Sequence, residues 1–228
     1  MGGSSLSAND AMLAAMTQGP AFDAAFRSQL RLLLEWRRDV RRFRRVALPN
    51  GTLERLIEIA ALAPSVGLSQ PWRFVVVESP AQRQVIRHNF LRCNAEALAA
   101  QSTDRTVCYA QLKLAGLDEA PVHLAVFADS ATEQGHGLGR RTMPEMIDYS
   151  AVAAVHTLWL AARAEGIGMG WISILDPPAV AMALDVPAVW KLIGYFCLGY
   201  PEEEAVMPEL EREAWDHRRP AEAFVLRR

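Results

Sequence analysis

The run Arg37-Arg38-Asp39-Val40-Arg41 gathers three guanidinium groups and one carboxylate within five residues. Guanidinium groups are planar, permanently charged forks that match phosphate oxygens. Positive neighbours favour the ionised form of an acid held among them. Two arrangements fit this pattern. The cluster could grip an anionic cofactor and set Asp39 against its reactive part, or it could be a solvated helix end in which Asp39 pairs with nearby arginines. Taken alone, the second is the commoner use of such a run.

Three further stretches carry polar or permissive residues in compact spacing. The loop Pro64-Ser65-Val66-Gly67-Leu68-Ser69-Gln70-Pro71-Trp72 offers two hydroxyls, an amide and backbone N–H groups near Gly67. Those neutral groups suit the polar edge of a heteroaromatic ring or a ribityl chain. A plain helix-to-strand connection with Trp72 plugging the core fits equally well. In Gly168-Met169-Gly170-Trp171-Ile172-Ser173 two glycines would let a flat ligand approach the backbone, or would cap a helix and open an ordinary core strand. Trp215-Asp216-His217-Arg218-Arg219-Pro220 adds positive charge, either to an anion site or to a solvated tail.

Other chemistries lack support. Gly135-His136-Gly137-Leu138-Gly139 has neither the preceding strand nor the lysine of a phosphate loop, so residues 130–142 read as an exposed, flexible loop. Five histidines, at 88, 123, 136, 156 and 217, show no metal-ligand spacing, and no metal is expected. His123 and His156 lie in apolar segments and read as core histidines. Cys93, Cys108 and Cys197 are odd in number and widely spaced, a reduced intracellular pattern. A net charge of −2 excludes a field that recruits nucleic acid or an anionic membrane. With no leader-like start and no spanning apolar run, the expectation is a soluble cytoplasmic protein.

The elements that must position these stretches can be read from periodicity. Residues 1–19 form a loose tail, and 20–228 a single domain. Phe22, Phe26, Leu30, Leu33 and Leu34 recur at helical spacing and lead into the arginine run. A second helix carries Leu53, Leu56, Ile57, Ala60 and Ala61, with Asn50 or Thr52 able to cap it. Short apolar runs at 73–78, 122–128, 169–174 and 192–198 read as strands; 81–101, 106–119 and 143–165 read as helices. Hydrophobic residues make up 51% of the 228, enough to cover one central sheet on both faces.

The order Arg37-Arg38-Asp39-Val40-Arg41-Arg42-Phe43, then Ala63-Pro64-Ser65-Val66-Gly67-Leu68-Ser69-Gln70-Pro71-Trp72, then Gly168-Met169-Gly170-Trp171-Ile172-Ser173 resembles the FMN-dependent nitroreductase-like superfamily. Asp39 among the arginines and Ser173 after Gly-Trp-Ile resemble one branch of it, the BluB family of 5,6-dimethylbenzimidazole synthases. The resemblance spans about residues 20 to 220. It implies an α+β three-layer sandwich, a central mixed β-sheet flanked by helices, in a homodimer with FMN at the subunit interface. It also implies an oxygen-dependent oxidoreductase for which reduced FMN is substrate. In such enzymes O2 would drive fragmentation and contraction of the flavin to 5,6-dimethylbenzimidazole, the lower ligand of cobalamin, with release of erythrose 4-phosphate, and a separate flavin reductase would supply reduced FMN. Carried over by position, Asp39 and Ser173 would be catalytic. Arg37, Arg38, Val40 and Arg41 would hold phosphate and ribityl oxygens. Pro64, Ser65, Val66, Gly67 and Leu68 would line ring or chain, Gly170 and Trp171 the ring edge, and His217 and Arg218 would join from the C-terminal patch. Leu68 stands where many relatives carry an aromatic residue, and a lid is expected within 92–110. An NAD(P)H-dependent nitroreductase or flavin reductase that keeps its FMN intact would use the same contacts, and a non-catalytic flavin-binding scaffold is the third possibility.

Overall fold

The computed structural model describes residues 19–100 and 116–228. All but the last residue of the tail expected at 1–19, most of the helix at 106–119 and much of the lid region lie outside them. Along the chain run α1 (Ala24–Trp36), α2 (Thr52–Ala60), a 3₁₀ turn (Val66–Leu68), β1 (Trp72–Val76), α3 (Pro80–Ala99), α4 (Gly116–Glu119) and β2 (Val122–Asp129). Then follow α5 (Met146–Ala164), β3 (Gly168–Ile172), α6 (Pro177–Ala183), β4 (Trp190–Gly199), α7 (Glu209–Arg212) and a last 3₁₀ turn, Ala221–Phe224.

The four strands form one sheet in the order β1-β2-β4-β3. Every adjacent pair is antiparallel, so the mixed sheet expected from the resemblance is, among the described strands, an antiparallel one. The parallel component is a single bridge, Asp39 to Met169, by which the arginine run joins the β3 edge. Alternation along the strands splits the core into two layers. Ala125, Phe127, Tyr195 and Cys197 face a layer with Ile86, Phe90, Val180 and Leu184 from α3 and α6. Leu124, Val126, Phe196 and Leu198 face Leu56, Ala60, Val155, Leu158 and Ala162 from α2 and α5. The arrangement is a three-layer α+β sandwich.

α5 organises the site. Ile147, Ala151, Ala154, Val155, Leu158, Trp159 and Ala162 recur every three or four residues and are buried. Full burial of a side chain such as Leu158 contributes ~1.5–3 kcal/mol. α1 behaves differently: Asp23 caps it by accepting from the Phe26 N–H at 2.7 Å, yet none of its residues is buried. Its apolar side chains Phe26, Leu30, Leu32 and Leu34 are exposed. α2 starts at a left-handed Gly51, without the side-chain cap that Asn50 or Thr52 could have supplied. His123 is a satisfied core histidine: its Nδ1 lies 2.9 Å from the Tyr195 hydroxyl, and burial lowers its pKa to about 4. His156, expected in the core, lies on the exposed side of α5.

Candidate active site

The helix α1 ends at Trp36, and the arginine run follows it. Arg37 still donates its backbone N–H to Leu33 O (2.9 Å) but is itself extended. The chain then runs along β3: the Val40 N–H donates to Met169 O at 3.1 Å, and the Trp171 N–H donates to Asp39 Oδ1 at 2.9 Å. This crossing accounts for the two glycines of β3. A Cβ on Gly168 would come within 2.7 Å of Val40 Cγ2, and one on Gly170 would collide with the Val40 carbonyl oxygen. The space read from the sequence as an approach for a flat ligand is therefore filled by the chain's own residue 40.

Around Asp39 the charges are shared unequally. Arg41 Nε is 3.5 Å from Asp39 Oδ2 and 3.8 Å from Glu209 Oε2, and Arg42 reaches Glu209 at 3.7 Å. The Arg41 side chain is only 10% exposed, and its Nη1 is buried with no partner. Arg37 lies with its guanidinium carbon 4.8 Å from the centroid of the Trp159 ring, a cation–π arrangement. Arg38 spends its donors on backbone: its guanidinium bonds the carbonyls of Glu35, Arg37 and Val206, and Trp159 Nε1 donates to its carbonyl at 3.3 Å. It staples the end of α1 to the chain before α7.

The Asp39 side chain is 37% exposed; the burial it does undergo raises its pKa, the Trp171 N–H and then Arg41 oppose that, and Glu209 reinforces it. The sequence expectation was the reverse, that neighbouring arginines would dominate. Burial also lowers Arg37, with Asp39 opposing and Arg218 adding to the shift. The charged forms of both Asp39 and Arg37 are thus disfavoured by burial.

A cavity of about 130 Å³ is lined by Arg37, Arg38, Asp39, Arg41, Pro208, Glu209, Leu210 and Arg218. Four guanidinium groups there face two carboxyl groups, and one buried Arg41 donor is unused. That donor set fits a phosphate. The volume does not fit a whole flavin, since small-molecule pockets run ~300–1,000 Å³. Arg218 therefore joins the cluster as expected. His217 is its exposed neighbour, with Nδ1 4.0 Å from Glu211 Oε1. Ser173 follows β3 directly and is exposed.

The expected ring-binding loop lies elsewhere. The Val66 N–H donates to Ser150 Oγ at 3.0 Å, at the first turn of α5, whereas Trp159 meets Arg38 nine residues on. At 1.5 Å per residue these anchors are ~14 Å apart along the helix. The loop also feeds β1, at the opposite edge of the sheet from β3. Leu68 has φ 56° and Gln70 φ 41°, conformations that cost a non-glycine residue ~1–2 kcal/mol each. Ser65 Oγ steadies the turn by accepting from the Gln70 N–H at 3.1 Å. Leu68 is 70% exposed despite its apolar side chain. Pro64 is exposed, and Ser65, Val66 and Gly67 are half-buried.

The nitroreductase family model matches residues 34–200, from the arginine run to the end of the sheet. The chain belongs to the nitroreductase family. Within the family it is 58% identical over 205 residues to the 5,6-dimethylbenzimidazole synthase of Rhodospirillum rubrum, covering 90% of this chain and 97% of that one. It is 43% identical over 201 residues to the enzyme of the same name from Rhodobacter capsulatus, covering 88% and 97%. Among solved structures, oxidised iodotyrosine deiodinase bound to FMN and 3-iodo-L-tyrosine superposes with a TM-score of 0.66 at 25% identity, over 77% of this chain and 91% of that one. The resemblance carried by the sequence motifs is thereby borne out.

The sequence reading missed Glu209 and Trp159. Glu209 opens α7 after Pro208, a helix-start signal that could have marked it. Trp159 lies within the segment read as a helix at 143–165, and nothing in its spacing shows that its ring underlies a guanidinium group. Residues 130–142 are mostly exposed, as expected, but they also contact the 64–70 turn: Gln134 Nε2 donates to Leu68 O at 2.8 Å and to Gln70 Oε1 at 3.0 Å.

Proposed function

We propose that this protein is an oxygen-dependent 5,6-dimethylbenzimidazole synthase that consumes reduced FMN and O2 and releases erythrose 4-phosphate. What supports the reading most directly is the 58% identity to the Rhodospirillum rubrum enzyme along nearly the whole of both chains. The Asp39 cluster is what such a reaction would need. When bound, reduced FMN would supply both the electrons that reach O2 and the carbon skeleton that becomes product.

The chain's own residues take the following parts. Arg37, Arg41 and Arg218 hold the phosphate, with Arg41 Nη1 as the buried donor still to be satisfied. Arg38 and Val40 fix the backbone on which they stand. Asp39 has Oδ1 held by the Trp171 N–H, while Oδ2, 3.5 Å from Arg41 Nε, is the more weakly held oxygen and the one to take a proton from a C–H or O–H bond on the ribityl side. Its raised pKa brings the carboxyl closer to working pH, where proton acceptance and return both proceed. Ser173 supplies a hydroxyl near Trp171 at the ring end. Pro64, Ser65, Val66, Gly67 and Leu68 supply the ring face, with Gly170, Trp171 and His217 at the margins.

The two halves, anchored nine residues apart on α5 and set at opposite edges of the sheet, would be joined in a homodimer, in which the phosphate half of one protomer faces the 64–68 turn of its partner. The exposed apolar face of α1 is compatible with such an interface. The described residues contain no helix long and apolar enough to cross a membrane, in keeping with a cytoplasmic enzyme. A separate flavin reductase would supply reduced FMN.

The test is to mix the protein with chemically reduced FMN in air and follow flavin and 5,6-dimethylbenzimidazole by chromatography. Product in proportion to flavin consumed is expected. Quantitative recovery of flavin without product would favour a reductase that keeps its FMN, and no flavin binding in either redox state would favour a non-catalytic scaffold.

A further inference from the structure

We infer that Gln134 is a positioning residue: it holds Leu68 in the conformation that presents its side chain to the flavin ring. The inference rests on the proposed role of the 64–68 turn as a ring contact. It goes beyond that role by giving the 130–142 loop a task.

The loop and the turn are built against one another. A Cβ on Gly135 would lie 2.5 Å from Gly67 O, one on Gly67 would lie 3.0 Å from Gly135 O, and one on Gly139 would lie 2.7 Å from Val66 Cγ2. Bare backbone on both sides is thus required by the contact and is not a mark of flexibility. The loop is also braced at its base. The Ala131 N–H donates to Asp129 Oδ1 (3.1 Å), Asp129 Oδ2 accepts from Arg73 (2.7 Å), and Arg140 Nη1 donates to Thr132 O (2.6 Å). It forms a strut running from the end of β2 to the turn.

At the tip of this strut Gln134 Nε2 donates to both Leu68 O and Gln70 Oε1. Leu68 and Gln70 are the two non-glycine residues of the turn with left-handed φ. Without the amide, the left-handed backbone has less to hold it, and relaxation would swing the exposed Leu68 side chain away from its present direction. Gln134 touches neither phosphate nor reacting atoms in this scheme. Its effect should be felt through Leu68 alone.

The experiment compares Gln134→Ala and Gln134→Glu in the full chain, using fluorescence quenching with FMN and with riboflavin, which lacks the phosphate. Gln134→Ala should weaken both flavins by about the same factor, on the order of tenfold, the loss expected from two neutral hydrogen bonds. Gln134→Glu, which sets an anion against two oxygens, should weaken them further. Melting temperature and the salt dependence of FMN binding should stay near those of the parent. The decisive control is Leu68→Ala: in that background the effect of Gln134→Ala should disappear, whereas a merely structural role would leave the two losses additive. Unchanged flavin affinity in Gln134→Ala, or additive losses, would overturn the inference. Failure of the parent protein to bind either flavin would instead remove the site reading on which it rests.

Discussion

Asp39 and Leu68 stand on segments flanking opposite edges of one sheet, and the forces that hold them differ in kind. The Asp39 segment is bound to β3 by main-chain hydrogen bonds and surrounded by charge: Arg41, Arg42 and Glu209 share ion pairs, and Arg37 rests on an aromatic ring. The Leu68 turn is held by neutral groups, from Ser65, Ser150 and Gln134, in a conformation that its residue types resist. One region is rigid through pairing and poised through burial of a carboxyl group. The other depends on being buttressed. The difference matches the two ends of a ligand such as FMN, an anion at one end and a flat ring at the other. On the proposed reading each region would offer half of the contacts.

The most severe way to break this comparison is Asp39→Asn. The amide oxygen can still accept from the Trp171 N–H, so FMN affinity should stay within about threefold while product formation falls by ~10²–10⁴, the range for loss of a positioned base. Chromatographic single-turnover assay and fluorescence titration measure the two sides, and undiminished product would remove Asp39 from the chemistry. Next in size, Arg41→Met takes away the buried guanidinium. It should weaken FMN by ~10–100-fold, as expected for charge-assisted hydrogen bonds, and leave riboflavin nearly unaffected. Equal losses for both flavins would place Arg41 outside the phosphate site.

A smaller effect sharpens the two-protomer arrangement. Asp39→Asn and Leu68→Asp chains, each inactive alone, are unfolded and refolded together in equal amounts. Half of the dimers should be mixed, and each mixed dimer should hold one intact site of two, giving about one quarter of parental activity. If both halves came from the same chain, no activity would return. The smallest effect is thermal. Because burial raises the folded-state pKa of Asp39 above its unfolded value, its contribution to stability is full below the unfolded pKa and is lost as pH rises through the folded one. Asp39→Asn should therefore melt slightly higher than the parent near neutral pH, with the gap closing below about pH 4. A variant that melts lower at neutral pH would show that the ionised carboxylate stabilises the fold.

Much of the frame was legible from residues alone. The four strands and the long helix α5 emerge at nearly their expected places because apolar period dictates which faces can be buried. The motifs at 37–43, 63–72 and 168–173 together carried the resemblance to the family, because residue type and spacing are local properties of the chain. The antiparallel sheet was not legible, since strand direction depends on how distant segments return. Nor was the role of the glycines in β3. They read as space for a ligand and proved to be space for Val40, a neighbour 128–130 residues away in sequence. The same holds for Gly135 and Gly139, which read as flexibility and proved to be contact.

The sequence by itself determined which groups are available: guanidinium forks and a carboxylate at 37–41, hydroxyls and a bare backbone at 65–70, and enough apolar surface to close a sandwich over both faces of one sheet. Only the tertiary structure decided how those groups are used. Burial, which raises the Asp39 pKa against the pull of its arginines, is set by what packs around the carboxyl group, and no local spacing encodes it. The separation of Asp39 from Leu68 is set by the sheet order and the length of α5. The partnership of Gln134 with Leu68 arises because two loops 66 residues apart in sequence meet over the first turn of that helix.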